Sequence, residues 1–347
     1  MSQVSLAEPR LDGERSGAPR RWVGLIPLLI LLVLALAASM LVGSRTVPPA
    51  DVLHALLQPD PDDAISQTVW FSRVPRTVLI LVAGAALGVA GALMQAVTRN
   101  PMTDPGILGV NAGASLAVVV GLAFFAVTDI SQYMWWSFVG AMLTSVLVFA
   151  IGNTGAARGN PVRMTLSGVA LGAVLSGFSS AVLLSNSEVL ERMRGWSAGT
   201  TASQPLDATL AIVPFIVVGL VIALLSSRSL DVLSLGEASA VAMGAHPNRI
   251  RLVVLLAIAL LAGGATAAAG PIGFLGLLAP HVARMIVGPH QGWILAYSVL
   301  IAPIVLGFAD VLGRVITAGE VPVGVVTAFI GAPVLIWMVR RFRVSEV

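Results

Sequence analysis

Two side chains in this chain could combine as nucleophile and general base: Ser115, within Gly113-Ala-Ser115, and His281. Brought together in space, they would read as an intramembrane serine protease. The other reactive types form no such pattern. His54, His246, His281 and His290 make neither an HExxH motif nor a paired ligand spacing, so no metal centre is expected. There is no cysteine, which excludes disulfides and thiolate ligands. All twenty basic residues are arginine, so neither a GxxxxGKS/T phosphate loop nor a lysine Schiff base can exist. If the protein uses ATP, another chain binds it, and no cofactor of its own is expected. What remains is binding chemistry. It concentrates in a polar island, Arg228 to Arg251 (RSLDVLSLGEASAVAMGAHPNRIR), between two long apolar runs.

In the island, Leu230, Leu233 and Leu235 recur at near-helical spacing, Gly236 breaks the run, and Glu237 to Met243 forms a second short helical stretch ended by Gly244. Two short helices should therefore meet at a glycine elbow. Pro247 stops further continuation, and Arg249 and Arg251 mark the return to lipid. An ordinary interhelical loop is the alternative on this pattern alone; the length and the apolar teeth favour a docking surface.

The elements that position the island are membrane helices. With 57% hydrophobic and 11% charged residues and a mean hydropathy of +0.93, the chain is an all-α polytopic membrane protein. Spans are expected near 22–42, 76–98, 106–126, 131–152, 164–186, 207–226, 249–269, 272–287, 293–312 and 322–341. Residues 1–21 read as a disordered tail and 22–347 as a single transmembrane domain; the first apolar run is too long for a signal peptide. An even span count places both termini on one side.

If that side is cytoplasmic, it carries Arg10, Arg15, Arg20, Arg21, Arg99, Arg158, Arg163, Arg228, Arg249, Arg251, Arg284, Arg340, Arg341 and Arg343, against Arg45, Arg73, Arg76, Arg192, Arg194 and Arg314 opposite. Fourteen against six obeys the positive-inside rule and turns the island to the cytoplasm. No basic stripe with interleaved aromatics suggests nucleic acid, and membrane lipid is the surrounding medium. Gly106-Ile-Leu-Gly-Val110 and Gly273-Phe-Leu-Gly-Leu277 follow spans that start on opposite sides, the mark an inverted internal repeat leaves. Breaks around Pro101, Pro271 and Pro280 imply irregular backbone buried in protein or lining a cavity.

Several segments resemble one family, the permease subunits of type II ABC importers for iron-siderophores, heme or cobalamin. They are Arg73-Val-Pro-Arg76, Gly91-Ala-Leu-Met-Gln95, Arg99-Asn-Pro-Met-Thr-Asp-Pro-Gly-Ile-Leu-Gly-Val-Asn-Ala-Gly-Ala114, Leu166-Ser-Gly-Val-Ala-Leu-Gly172, Leu233-Ser-Leu-Gly-Glu-Ala-Ser-Ala240, the run from Gly270 to Arg284, and the run from Val321 to Pro333. The resemblance implies ten helices, a second permease subunit of the same or a similar chain, two ATP-binding subunits, and an extracytoplasmic binding protein, in a bacterial inner membrane. It implies a transport subunit and no enzyme, with ATP hydrolysed elsewhere.

By the same resemblance Leu233, Ser234, Leu235, Gly236, Glu237, Ala238, Ala240, Met243 and Gly244 form the ATPase-coupling surface, with Glu237 as the charged contact. Arg73, Arg76 and Arg314 would receive glutamates of the binding protein; as cations against the positive-inside bias they suit that task. Asn100 and Met102 match one side of an inner gate, and Pro161 and Val162, in Asn160-Pro-Val-Arg163, stand where relatives carry small hydroxyl residues. Residues 185–201 match a short helix at the outer mouth. An iron-siderophore is the expected substrate, with heme and cobalamin open. An ion-coupled secondary transporter is the rival class, and it would want buried ionisable residues where this chain offers chiefly Asp310.

Overall fold

The computed structural model describes residues 21–43, 46–125, 127–154, 161–202, 204–317 and 319–341. The expected N-terminal tail, except Arg21, lies outside them, as do Arg45, Arg158, Asn160 and Arg343. Among the described residues every regular element is helical. In order these are α1 (Leu25–Leu41), α2 (Pro49–Leu57), α3 (Ala64–Thr68), a π turn (Val69–Arg73), α4 (Val74–Thr98), a 3-10 turn (Pro105–Leu108), α5 (Val110–Phe124), α6 (Ile130–Gly152), α7 (Pro161–Ser185), α8 (Ser187–Ser197), α9 (Leu206–Ser234), α10 (Glu237–Ala242), α11 (Pro247–Ala269), α12 (Leu275–Val287), α13 (Gln291–Ile316) and α14 (Val323–Arg341).

Each of the ten expected spans coincides with one of these helices. Seven helical stretches are long and apolar enough to cross a membrane, and three shorter apolar helices, residues 110–124, 275–287 and 323–337, accompany them. The 13 residues of α12 reach only about 20 Å, short of the ~30 Å hydrocarbon core. The backbone leading into α5 and into α12 must therefore lie inside the bundle. Positive φ angles mark both breaks: Gly109 (72°) before α5, and Gly270 (72°) and Phe274 (65°) before α12. Phe274 is not a glycine, and its Cβ fills the space left by the missing side chain of Gly331 on α14.

The two interrupted segments meet around α4. A Cβ added to Gly91 would overlap the backbone of Gly276, and one added to Gly276 would lie 3.0 Å from Pro105. Small residues let these backbones touch, which is how helices associate where lipid removes the hydrophobic drive. α4 and the alanine-rich α11 are accordingly the most enclosed, with 78% and 83% of their apolar windows buried, against 11% for α1 and for α7. α5 and α6 approach equally closely through Gly113, Gly140 and Thr144.

Two elements differ from the sequence reading. The first short island helix is no separate helix: Leu230 and Leu233 belong to the last turns of the 29-residue α9. Residues 228–234 are apolar on one face and carry no breaker, so the span simply continues past the membrane edge. At the other end, helix extends over 35 residues from Ala64, beginning well before the expected start near 76. Asp63 starts it by accepting the Ser66 N–H at 2.9 Å, and the π turn carries Trp70 and Arg73 into α4.

Gly91→Ala should lower thermal stability by about 1–3 kcal/mol, the scale of overpacking, because backbone and not a flexible side chain must yield. Gly177→Ala on α7, with nothing within 4 Å, should not lower stability and can gain up to about 1 kcal/mol from alanine's helix propensity. Thermal unfolding of both purified variants checks the contrast; equal midpoints would refute the close contact.

Candidate coupling site and charge network

The island folds into a surface with an anchored side and a free side. α9 ends at Ser234, and Gly236 takes φ 111°, a conformation closed to side-chain-bearing residues, before α10 begins. Leu230, Leu233 and Ala240 are buried against the bundle. Leu235, Val241 and Met243 project outward, 65%, 57% and 55% exposed. Of the residues assigned to coupling, Leu233 and Ala240 therefore anchor, while Ser234, Leu235, Glu237, Ala238, Met243 and Gly244 face out.

Three polar ties join this surface to three helices. The Arg99 guanidinium, at the end of α4, donates to the Leu233 carbonyl at 2.7 Å. The Asp231 carboxylate accepts the Gln291 N–H at 2.9 Å, capping the start of α13, with His290 at 3.6 Å. Arg251, buried in the first turns of α11, meets the Glu237 carboxylate at 3.1 Å. Glu237 thus has a partner within the chain while its side chain stays 54% exposed. The sequence reading gave Val241, Asp231, Arg99 and Arg251 no part in the coupling surface. Val241 follows from the α10 period; the three ties join residues far apart in the chain and left no local signal.

The segment after Arg99 is a braced turn. Asn100 Oδ1 accepts the Met102 N–H at 3.0 Å, Thr103 donates to the Asn100 carbonyl at 2.8 Å, and the Thr98 and Thr103 hydroxyls pair at 2.7 Å. The Asp104 carboxylate accepts the Gly106 N–H at 2.8 Å. Asn100 and Met102 thus share one turn. Val162 lies exposed on the first turn of α7; Asn160 and the side chain of Pro161 fall outside what is described. Between α5 and α7 opens a recess of about 390 Å³ lined by Asn111, Ser115, Gly168, Gly172 and Ser176. Ser115 belongs to this recess, whereas His281 lies on α12, one turn before Arg284.

At the opposite end of α4 stands a charge network. Asp310 on α13, fully enclosed, receives Arg76 Nε at 3.0 Å and Nη2 at 2.9 Å, Arg314 Nε at 2.9 Å, and the Thr201 hydroxyl. Arg76 also meets Glu320 at 2.9 Å. Arg314 donates to the Ser39 and Val42 carbonyls at 2.8 and 2.7 Å and to the Ser39 hydroxyl at 2.9 Å, and Arg73 donates to the Val42 carbonyl. Arg73, Arg76 and Arg314, expected to receive glutamates of a binding protein, are 5%, 8% and 4% exposed. At this depth a guanidinium is held by internal acceptors, and the reachable member of the network is Glu320. Asp310, the deepest carboxylate of the sequence reading, is a structural counter-ion. Nearby, α8 begins at Asn186, whose side chain caps two N–H groups, and forms the amphipathic short helix expected within 185–201.

Asp310→Asn would leave Arg76 and Arg314 buried without their shared anion. A loss of about 3–5 kcal/mol is expected on thermal unfolding of the purified protein; an unchanged midpoint would mean that the network does not clamp α1, α4 and α13.

The comparisons with known proteins agree with this architecture. Over 94% of its length the chain is 46% identical to the ferric enterobactin transport system permease protein FepD of Escherichia coli, covering 97% of that protein. It is 39% identical to the Fe(3+)-citrate import system permease protein YfmD of Bacillus subtilis, covering 91% of this chain and 93% of that one. The hemin transport system permease protein HmuU of Yersinia pestis is 33% identical, covering 94% and 97%. Among solved structures, an inward-facing metal-chelate type ABC transporter superposes with a TM-score of 0.80 at 25% identity, over 93% of this chain and all of that one. Residues 30–341 match the FecCD transport family as a whole, and the chain belongs to that family.

Proposed function

We infer that this chain is the membrane-spanning permease subunit of an ATP-driven importer, passing a ferric siderophore across a bacterial inner membrane. The near full-length match to a ferric enterobactin permease supports the siderophore over hemin, whose permease is more distant. The observation that carries the partner assignment is the exposed row Leu235, Val241 and Met243 on a surface tied to α4, α11 and α13. An apolar row on a polar, braced segment suits the cleft of a soluble subunit. Arginine asymmetry supports a cytoplasmic position for that end and for both termini, where two ATP-binding subunits would dock and hydrolyse ATP. A second permease of the same or a similar sequence completes the path. The braced turn with Asn100 and Met102, and Val162 beside Pro161, form the inner gate.

On the outer side, the network of Arg73, Arg76 and Arg314 against Asp310 and Glu320 keeps one net positive charge among these five groups. An acidic binding protein would meet that field across Glu320, which steers encounter and fixes register. The docking role of the three arginines thereby becomes one of field and support, with little direct contact.

Deleting the coding sequence should abolish energy-dependent uptake of radiolabelled ferric siderophore, and the intact chain should restore it. The double variant Leu235→Asp/Met243→Asp should reach the membrane in normal amount yet fail to restore uptake. Uptake that survives ATP depletion, or full restoration by the double variant, would refute the assignment. Glu320→Gln, which removes the exposed acid, should tighten binding-protein docking about two- to fivefold at low ionic strength, with the gain lost in high salt. Equal affinities at both salt concentrations would remove the outer field from the mechanism.

A further inference from the structure

Arg99 ends α4 in the left-handed conformation, φ 52° and ψ 30°, which an arginine adopts at a cost. The bend sends its exposed side chain to the Leu233 carbonyl, one of the last carbonyls of α9, where the helix dipole favours a cation. Leu233 is 1% exposed, so this acceptor moves only with α9 itself. On the other side of Arg99 the chain enters the turn braced by Asn100, Thr98 and Thr103. A displacement of Arg99 must therefore carry Asn100 and Met102 with it. The other two ties of the island reach the starts of α11 and α13, and neither adjoins this turn.

We propose that Arg99 is a positioning residue, a strut that transmits movement of the α9–α10 segment to the gate turn Asn100–Thr103. The proposal rests on the importer reading above and adds one connection to it. A guanidinium suits the role because its bond to a helix-terminal carbonyl is charge-assisted and directional.

The test uses the complete importer, with its ATP-binding subunits and binding protein, in proteoliposomes. Arg99→Gly removes the strut while relieving the left-handed backbone, so folding should not suffer. Arg99→Lys keeps a cation within reach of the carbonyl. The chain lacks cysteine, so Met102→Cys gives a single label whose reaction with a soluble maleimide reports the gate turn. In Arg99→Gly, transport per ATP hydrolysed should fall about tenfold, the scale of one charge-assisted hydrogen bond, and the ATP-dependent change in Met102→Cys labelling should vanish. Arg99→Lys should recover part of both. An unchanged transport-to-hydrolysis ratio and unchanged labelling in Arg99→Gly would overturn the strut. So would loss of ATPase co-purification in Arg99→Gly, which would make Arg99 an assembly contact. If the unsubstituted complex transports without ATP, the importer reading itself fails, an outcome separate from either.

Discussion

Interrupting a helix inside hydrocarbon exposes backbone groups that lipid cannot satisfy, and among the described residues the apolar segments before α5 and α12 are broken at positive-φ positions. The breaks can exist only where protein surrounds them. That requirement places α4 and α11 at the centre, since they carry the glycines and alanines against which irregular backbone can lie. Gly91 on α4 meets Gly276 at the start of α12, and Gly276 in turn faces Pro105 of the other break. Each interrupted segment thus helps to bury the other. Peripheral helices such as α7 are free of the constraint and can leave large apolar side chains such as Leu166 and Phe178 on the surface.

Placed centrally, α4 becomes the member that connects the two ends of the molecule. Its 25 residues reach about 37 Å, from Arg76 in the charge network to Arg99 at the island. At the first end Arg76 is locked through Asp310 to α13, and through Arg314 to the end of α1. At the second, Arg99 is held by a single bond to a surface that a partner can reach. The last turns of α4 are packed as firmly, with Gln95 and Thr98 buried and Gln95 donating to the Leu277 carbonyl. Beyond that packing, next to Arg99, lies the turn that carries Asn100 and Met102.

The helical content and the positions of all ten apolar helices were legible in the sequence, because hydrophobic length survives any tertiary arrangement. The glycine elbow at Gly236 was legible too, since a positive φ has a residue signature. The continuity of α9 through Ser234 was not: a polar run looks like an exit from helix, yet Ser, Asp and Arg propagate one as readily as they leave it. How far Arg73, Arg76 and Arg314 are enclosed was not legible either, for a different reason. Counting charges along the chain places arginines near a membrane face, but whether each is solvated depends on acceptors far away in sequence, here Asp310, Glu320, Ser39 and Val42. Glu237 likewise meets a partner the local pattern did not show, Arg251, fourteen positions on.

The exclusive use of arginine takes its meaning from these long-range ties. Arg314 spends three nitrogens on four acceptors from two helices, and Arg76 joins two carboxylates from separate segments. A lysine ammonium has three donors on one atom and cannot reach acceptors so widely spread without moving. At the island Arg251 bridges to the Glu237 carboxylate of the preceding helix, and Arg99 to a backbone carbonyl of α9, far from it in the chain. In a bundle whose apolar packing is non-directional, planar multidentate cations define which helix ends stay in register. Among the described residues the contact that joins the exposed island surface to the Asn100–Thr103 turn is that of Arg99, and there a single donor meets a single carbonyl.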